Sequence, residues 1–295
     1  MKKYRFLLIS TCILFVGVVM FSLLITERLV VYEQAKLEIA EKLSYENRMF
    51  SITEYFPFLS DEGDRIGTWQ KLEQKASAVY NGALFYGLLL VCFVLTYAGL
   101  NVLFYKTKEH KYQIYGLILV FSALSFLYLG VQSPFIEIMA YEKNLAADLY
   151  LGEYEFEGRI YFLYQNKSIL QLISVLYSGG NFLVAIILVL VSLVFPLIKL
   201  VVSIFVLLAP EKPINVKRYK MIRNLGKWSM AEIFAAAIFL AVFSYTNLDV
   251  AIDTGSETLI GTYFFVIFVA LSINSGLYLK KAMKKAQGLS DMDLD

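Results

Sequence analysis

Six long apolar runs dictate what this chain can become: Phe6–Thr26, Gly82–Phe104, Ile114–Pro134, Phe182–Leu208, Met230–Thr246 and Ile260–Leu279. Each approaches or exceeds the roughly 20 residues a helix needs to cross a hydrocarbon core. With 58% hydrophobic residues, the rest of the chain holds too little polar material for a soluble globule of this size. The expected class is an all-α polytopic membrane protein with six transmembrane helices. The basic first residues and the apolar run after them could belong to a secretory signal. The run is too long for one and no small-x-small cleavage site comes after it, so it reads as an uncleaved anchor.

The net charge of +2 conceals a segregation. Threading the six runs with the N-terminus inside places 16 of the 27 basic residues in the inside segments, and 10 basic and 19 acidic residues in the three outside ones. Positive-inside bias therefore predicts that both termini are cytoplasmic. No inside segment exceeds about twenty residues, and no GxxxxGK[ST] or GxGxxG element is present, which excludes a nucleotide-binding domain. Nothing points to nucleic acid.

Beyond the first run, Val31, Ala35, Ile39, Leu43 and Phe50 recur at helical intervals, and Trp69, Leu72, Ala76 and Val79 form a matching stripe on the way back. These stripes predict a protruding extracytoplasmic helical hairpin over 27–79, with an irregular tip around Pro57 and the Asp61-Glu62-Gly63-Asp64 turn. In the second outside segment, Tyr154, Phe156, Ile160, Phe162 and Tyr164, interrupted by Gly158, read as a short β-hairpin, a small extracytoplasmic β element. Ile169, Leu172, Ile173 and Leu176 then predict an amphipathic helix at the membrane surface, closed by Ser178-Gly179-Gly180. The third outside loop, Leu248–Leu259, could add a strand. The division expected is residues 1–113 as two spans with the hairpin, 114–285 as a four-helix membrane module, and 286–295 as a disordered tail.

Within the apolar runs, ionisable groups are the informative exceptions, since each costs roughly 2.5–3.5 kcal/mol at the bilayer centre. Lys199 lies in the fourth run and Glu232 near the start of the fifth, both in the cytoplasmic half of the bilayer. A lysine stem can carry its ammonium several ångströms toward the interface, which brings the two within pairing range. The expectation is an ion pair, with Asn274 of the sixth run as an added donor. The plainer alternative is that Lys199 snorkels to headgroups and Glu232 favours its helix N-terminus. Pro196 removes one backbone hydrogen bond and bends the fourth helix.

Other conspicuous residues read as ordinary. His110 is the only histidine, in a lysine-rich loop, and Trp228 fits an interfacial anchor. Cys12 and Cys92 both fall within apolar runs, so neither a disulfide framework nor a metal site is expected. No triad or Cys/His arrangement can be drawn, so enzymatic activity and a cofactor are not expected.

The residues Phe195-Pro196-Leu197-Ile198-Lys199-Leu200, followed by Gly226-Lys227-Trp228-Ser229-Met230 with the acid Glu232 and Phe234, resemble the paraquat-inducible protein A family (PqiA, with its LetA relatives). The resemblance covers about Ile114 to Leu279, a single four-helix module. Gly226, Trp228, Ser229 and Met230 form its motif turn. The CxxC pairs that often accompany the family are absent, so no metal is carried over, and glutamate replaces its usual aspartate at 232. The resemblance implies a multi-pass protein of the bacterial inner membrane that acts in lipid trafficking or envelope stress maintenance. It further implies membrane lipids and a periplasmic MCE-type lipid-transfer protein as partners. A small ion- or proton-coupled transporter and a membrane sensor or assembly protein are the competing readings.

Overall fold

The computed structural model describes residues 2–51, 65–105, 110–149, 152–210, 216–222 and 253–287. Five helices among them are long and apolar enough to cross a membrane: Cys12–Lys42, Gln70–Phe104, Lys111–Gln132, Phe182–Leu208 and Ile260–Ala286. The run Met230–Thr246, expected as a further span, lies outside the described residues.

In chain order the elements are α1 (Lys2–Lys42), α2 (Tyr45–Met49), α3 (Arg65–Tyr105), α4 (Lys111–Gln132), β1 (Pro134–Leu149), β2 (Gly152–Ser168), α5 (Ile169–Ser178), α6 (Phe182–Val189), α7 (Phe195–Leu208), β3 (Asp253–Thr258) and α8 (Ile260–Gln287). Residues 216–222 are also helical. The α4 helix is the axis of the molecule. It packs against α1, α3, α7 and above all α8. Its faces bury Ile114, Leu117, Val120, Ala123, Phe126, Leu127 and Leu129 in one continuous core with Phe264, Phe265 and Phe268 of α8 and Leu200 and Leu207 of α7. Gly130 lets the backbones of α4 and α8 approach: a Cβ there would stand 2.9 Å from the Phe265 backbone nitrogen and Cα.

The helix pair α4/α8 continues without a break into a sheet. Ser133 alone separates α4 from β1, and Leu259 alone separates β3 from α8. The junction is closed by the Leu259 amide and the Thr262 hydroxyl, which donate to the Phe135 carbonyl at 3.1 and 2.7 Å. The sheet is antiparallel in the order β2-β1-β3. The β1 strand pairs with β2 from Pro134↔Ser168 to Leu149↔Gly152, and with β3 from Ile136↔Thr258 to Tyr141↔Asp253. The small β element expected beside the helices is this sheet, and its hairpin is longer than expected: the strands run 16 and 17 residues. Bulges explain why alternation was readable only in places, because each extra residue reverses the inside-outside order of the rest of its strand. One bulge falls at Gly158, whose φ of +87° suits a residue without a Cβ.

Within the expected hairpin over 27–79, the two arms α1 and α3 pack against each other and run past the level at which the sheet begins. Ala35, Ile39, Leu43, Leu72, Ala76 and Val79 form the expected stripes and pack on Tyr161, Met139, Tyr141 and Tyr164 of the sheet. Two assignments fail. Val31 and Phe50 are exposed, and Tyr32, one position along, takes the inward place. The tip around Pro57 lies outside the described residues.

The helix is irregular just ahead of Pro196. Leu190–Val194 is a π turn joining α6 to α7, and the Phe195 amide donates to the Leu190 carbonyl five residues back. Pro196 has no N–H for the Ser192 carbonyl and its ring would collide with it, so widening the preceding turn relieves the clash.

Gly130→Ala should lower the thermal unfolding midpoint of the purified protein in detergent, by an amount corresponding to about 1–3 kcal/mol for overpacking against backbone that cannot move aside. Gly82→Ala, at a position with nothing within 4 Å of the new methyl, should leave the midpoint unchanged or raise it.

Candidate functional site

Of the intramembrane polar residues singled out, Lys199 and Asn274 can be placed. They stand on α7 and α8, which touch. Lys199 is half-buried, and its carbonyl accepts the Ser203 hydroxyl at 2.7 Å. Asn274 is exposed and its amide donates to the Ala270 carbonyl of its own helix at 2.8 Å. Pro196 is buried beside the π turn. Glu232 and the motif turn Gly226, Trp228, Ser229 and Met230 lie outside the described residues, so the ion pair stands as an expectation.

The strongest polar constellation among the described residues lies elsewhere, where the hairpin meets the sheet. Glu137 of β1 is 1% exposed. Its Oε1 accepts from Lys36 Nζ at 3.0 Å and its Oε2 from the Tyr32 hydroxyl at 3.1 Å, both donors coming from one face of α1 by their i, i+4 spacing. Across the ladder Glu137 faces Asn166 of β2 and Glu257 of β3. The Tyr164 hydroxyl and both amide atoms of Asn166 are buried close to this carboxylate, outside good hydrogen-bond geometry. Burial, reinforced by the nearby Glu137 charge, pushes the Tyr164 phenol well above its ordinary range and keeps it neutral. Tyr32 also lies against Tyr80 of α3, with ring centroids 4.9 Å apart, so both arms of the hairpin reach this point.

Further out, the same docking is repeated with weaker groups. The Tyr161 amide donates to the Leu43 carbonyl at 2.9 Å, which closes the outer edge of β2 at that residue. Arg48 of α2 packs its guanidinium over the Phe156 ring and donates to the Arg159 carbonyl at 3.3 Å. Arg159 in turn reaches Glu73 of α3 at 3.4 Å, an exposed pair worth little by itself.

Sequence reasoning missed Glu137 because it belongs to no motif. A signal was present nonetheless. Phe135-Ile136-Glu137-Ile138-Met139 is apolar on both alternating faces except for this acid, and Tyr32 and Lys36 share one helical face. Pairing them required knowing that β1 lies against α1. What the arrangement does chemically is hold: a carboxylate taken out of water is stabilised by an ammonium and a phenol and ties two elements together.

Residues 157–282 match the family model of PqiA, paraquat-inducible protein A. The match takes in most of β2, α5 to α7, β3 and most of α8, and leaves out α1 to α4 and β1. No curated protein and no solved structure matches the chain.

Two outcomes check the site. Lys36→Met, which strands a buried carboxylate, should cost roughly 3–5 kcal/mol in unfolding, while Lys36→Met with Glu137→Leu should cost less than the sum of the single changes. Tyr164 holds its proton more tightly when folded, so its contribution is complete below about pH 10 and erodes above it as the unfolded phenol ionises. The wild type should therefore lose stability more steeply than Tyr164→Phe when thermal midpoints are compared from neutral pH upward through pH 10.

Proposed function

With residues 157–282 standing in the paraquat-inducible protein A family, we propose that this multi-pass membrane protein is a bacterial inner-membrane component of a lipid-trafficking and envelope-maintenance system that works with a periplasmic MCE-type partner. The family match carries the reading. The distribution of charge supports it. The described helix ends remote from the sheet carry the basic residues Lys111, Lys217, Arg218, Lys220, Lys280, Lys281, Lys284 and Lys285, as expected of a cytoplasmic side. The sheet and the projecting hairpin would then face the periplasm, rooted on α4 and α8, as a rigid platform for a partner. In this picture the π turn and the polar groups Lys199, Glu232 and Asn274 line the part of the membrane module where lipid enters from the bilayer.

The test is a photoactivatable phospholipid in nanodiscs, with crosslinks mapped by residue, together with transfer of labelled phospholipid to an MCE-type protein encoded beside this gene. Crosslinks concentrated on α6, α7 and the 223–252 segment, and transfer reduced at least about tenfold by Lys199→Ala or Glu232→Ala, are the expected result, corresponding to roughly 1.4 kcal/mol. Crosslinks spread evenly over all lipid-facing surfaces, with no transfer in the presence of the neighbour, would overturn the lipid reading. Proton uptake without lipid transfer would move the assignment to an ion-coupled transporter.

A further inference from the structure

The composition of α5 is unlike that of a water-exposed helix. From Ile169 to Ile198 the chain carries no formal charge, bounded by Lys167 and Lys199, and α5 occupies the first ten positions of that run. Leu170, Leu172, Val175 and Tyr177 are all exposed, with Tyr177 at 62%, and Ile169 is the one buried residue of the helix. A helix of ten residues is too short to hold itself together in water, and one with four large apolar side chains in solvent and no charge is less suited still.

The register of the sheet says where this helix lies. Ser168, its N-cap, pairs with Pro134, and Pro134 comes two residues after the end of α4. The start of α5 is therefore level with the end of a span. Its far end connects through Gly179, Gly180 and Asn181 to Phe182, where the next span begins. With both ends held at the level where spans end, the intervening helix of about 15 Å can only run along that plane. Both corners are built. Ser168 and Gln171 form a reciprocal capping box at 3.2 and 2.9 Å, Gly180 turns with φ +80°, and the Tyr177 and Phe182 rings meet edge to face at 5.0 Å across the turn. Gln171 also reaches Glu33 of α1 at 3.4 Å, placing that part of the hairpin at the same level.

We propose that α5 is an in-plane anchor whose partner is the lipid surface: Leu170, Leu172, Val175 and Tyr177 lie in the boundary between headgroups and acyl chains of the leaflet on the sheet side. The anchor holds the base of the sheet against the bilayer, and it removes α5 from the surface open to a soluble partner, which leaves the distal parts of β1, β2 and the hairpin for that role. The inference rests on the span ends and the register, not on lipid transfer, so it stands or falls separately from the function proposed above.

The test uses full-length protein in nanodiscs, with Trp69 and Trp228 replaced by phenylalanine and one tryptophan introduced by Val175→Trp, or by Leu172→Trp if the first variant fails to fold. Phospholipid brominated near the headgroup end of its chains should quench the tryptophan more than lipid brominated near the chain terminus, and aqueous acrylamide should quench it only weakly. Strong acrylamide quenching with no loss from either brominated lipid would overturn the proposal by putting α5 in water. Stronger quenching from the deep bromines would overturn it by making α5 part of a span.

Discussion

The close packing of α4 on α8 through Gly130 is the contact on which the rest of the architecture depends. Both helices lead directly into neighbouring strands, so the distance between them sets the spacing at which β1 and β3 leave the membrane module. The Leu259 and Thr262 bonds to the Phe135 carbonyl carry that spacing across the junction. A sheet grown in this way inherits the orientation of its helices. Its long β1–β2 ribbon extends past β3 as a projection from a rigid base, and the remaining spans arrange themselves around α4.

Docking of the hairpin on this base is governed by a different kind of contact. Apolar burial of Ile39, Leu43, Ala76 and Tyr161 supplies most of the adhesion but little directionality. Lys36, Tyr32 and Glu137 supply the register. Sliding α1 by one turn would leave a carboxylate without its donors in a place from which water is largely excluded, and that cost exceeds what rearranged apolar contacts could return. The segment that carries the family match is thereby coupled through β1 and β2 to two N-terminal spans that the match does not include.

Legibility tracked the range of the physics involved. Five spans among the described residues, the helical continuation of the hairpin, the α5 helix with its Gly179-Gly180 stop, and a strand in the third outside loop could all be read, because each depends on neighbours a few residues away. The helical stripe places Val31 inward, whereas the structure buries Tyr32, whose hydroxyl has an acceptor there. The ribbon was underestimated because its bulges at Phe135, Phe162 and Gly158 break the alternation by which strands are recognised. Pro196 announced a disturbance in the fourth span, and the structure gives its form as one π turn.

The sequence by itself determined that the chain crosses a membrane repeatedly, which ends of its helices are basic, and where apolar runs give way to extramembrane segments. These properties come from hydrophobicity and charge summed over contiguous residues. Only the tertiary structure decided that Glu137, more than a hundred positions from Lys36 and Tyr32, shares a buried site with them, and that α5 starts level with the end of α4. Strand register and helix approach are set by shape complementarity between segments far apart in the chain, and local pattern carries no record of which distant surface a residue will meet.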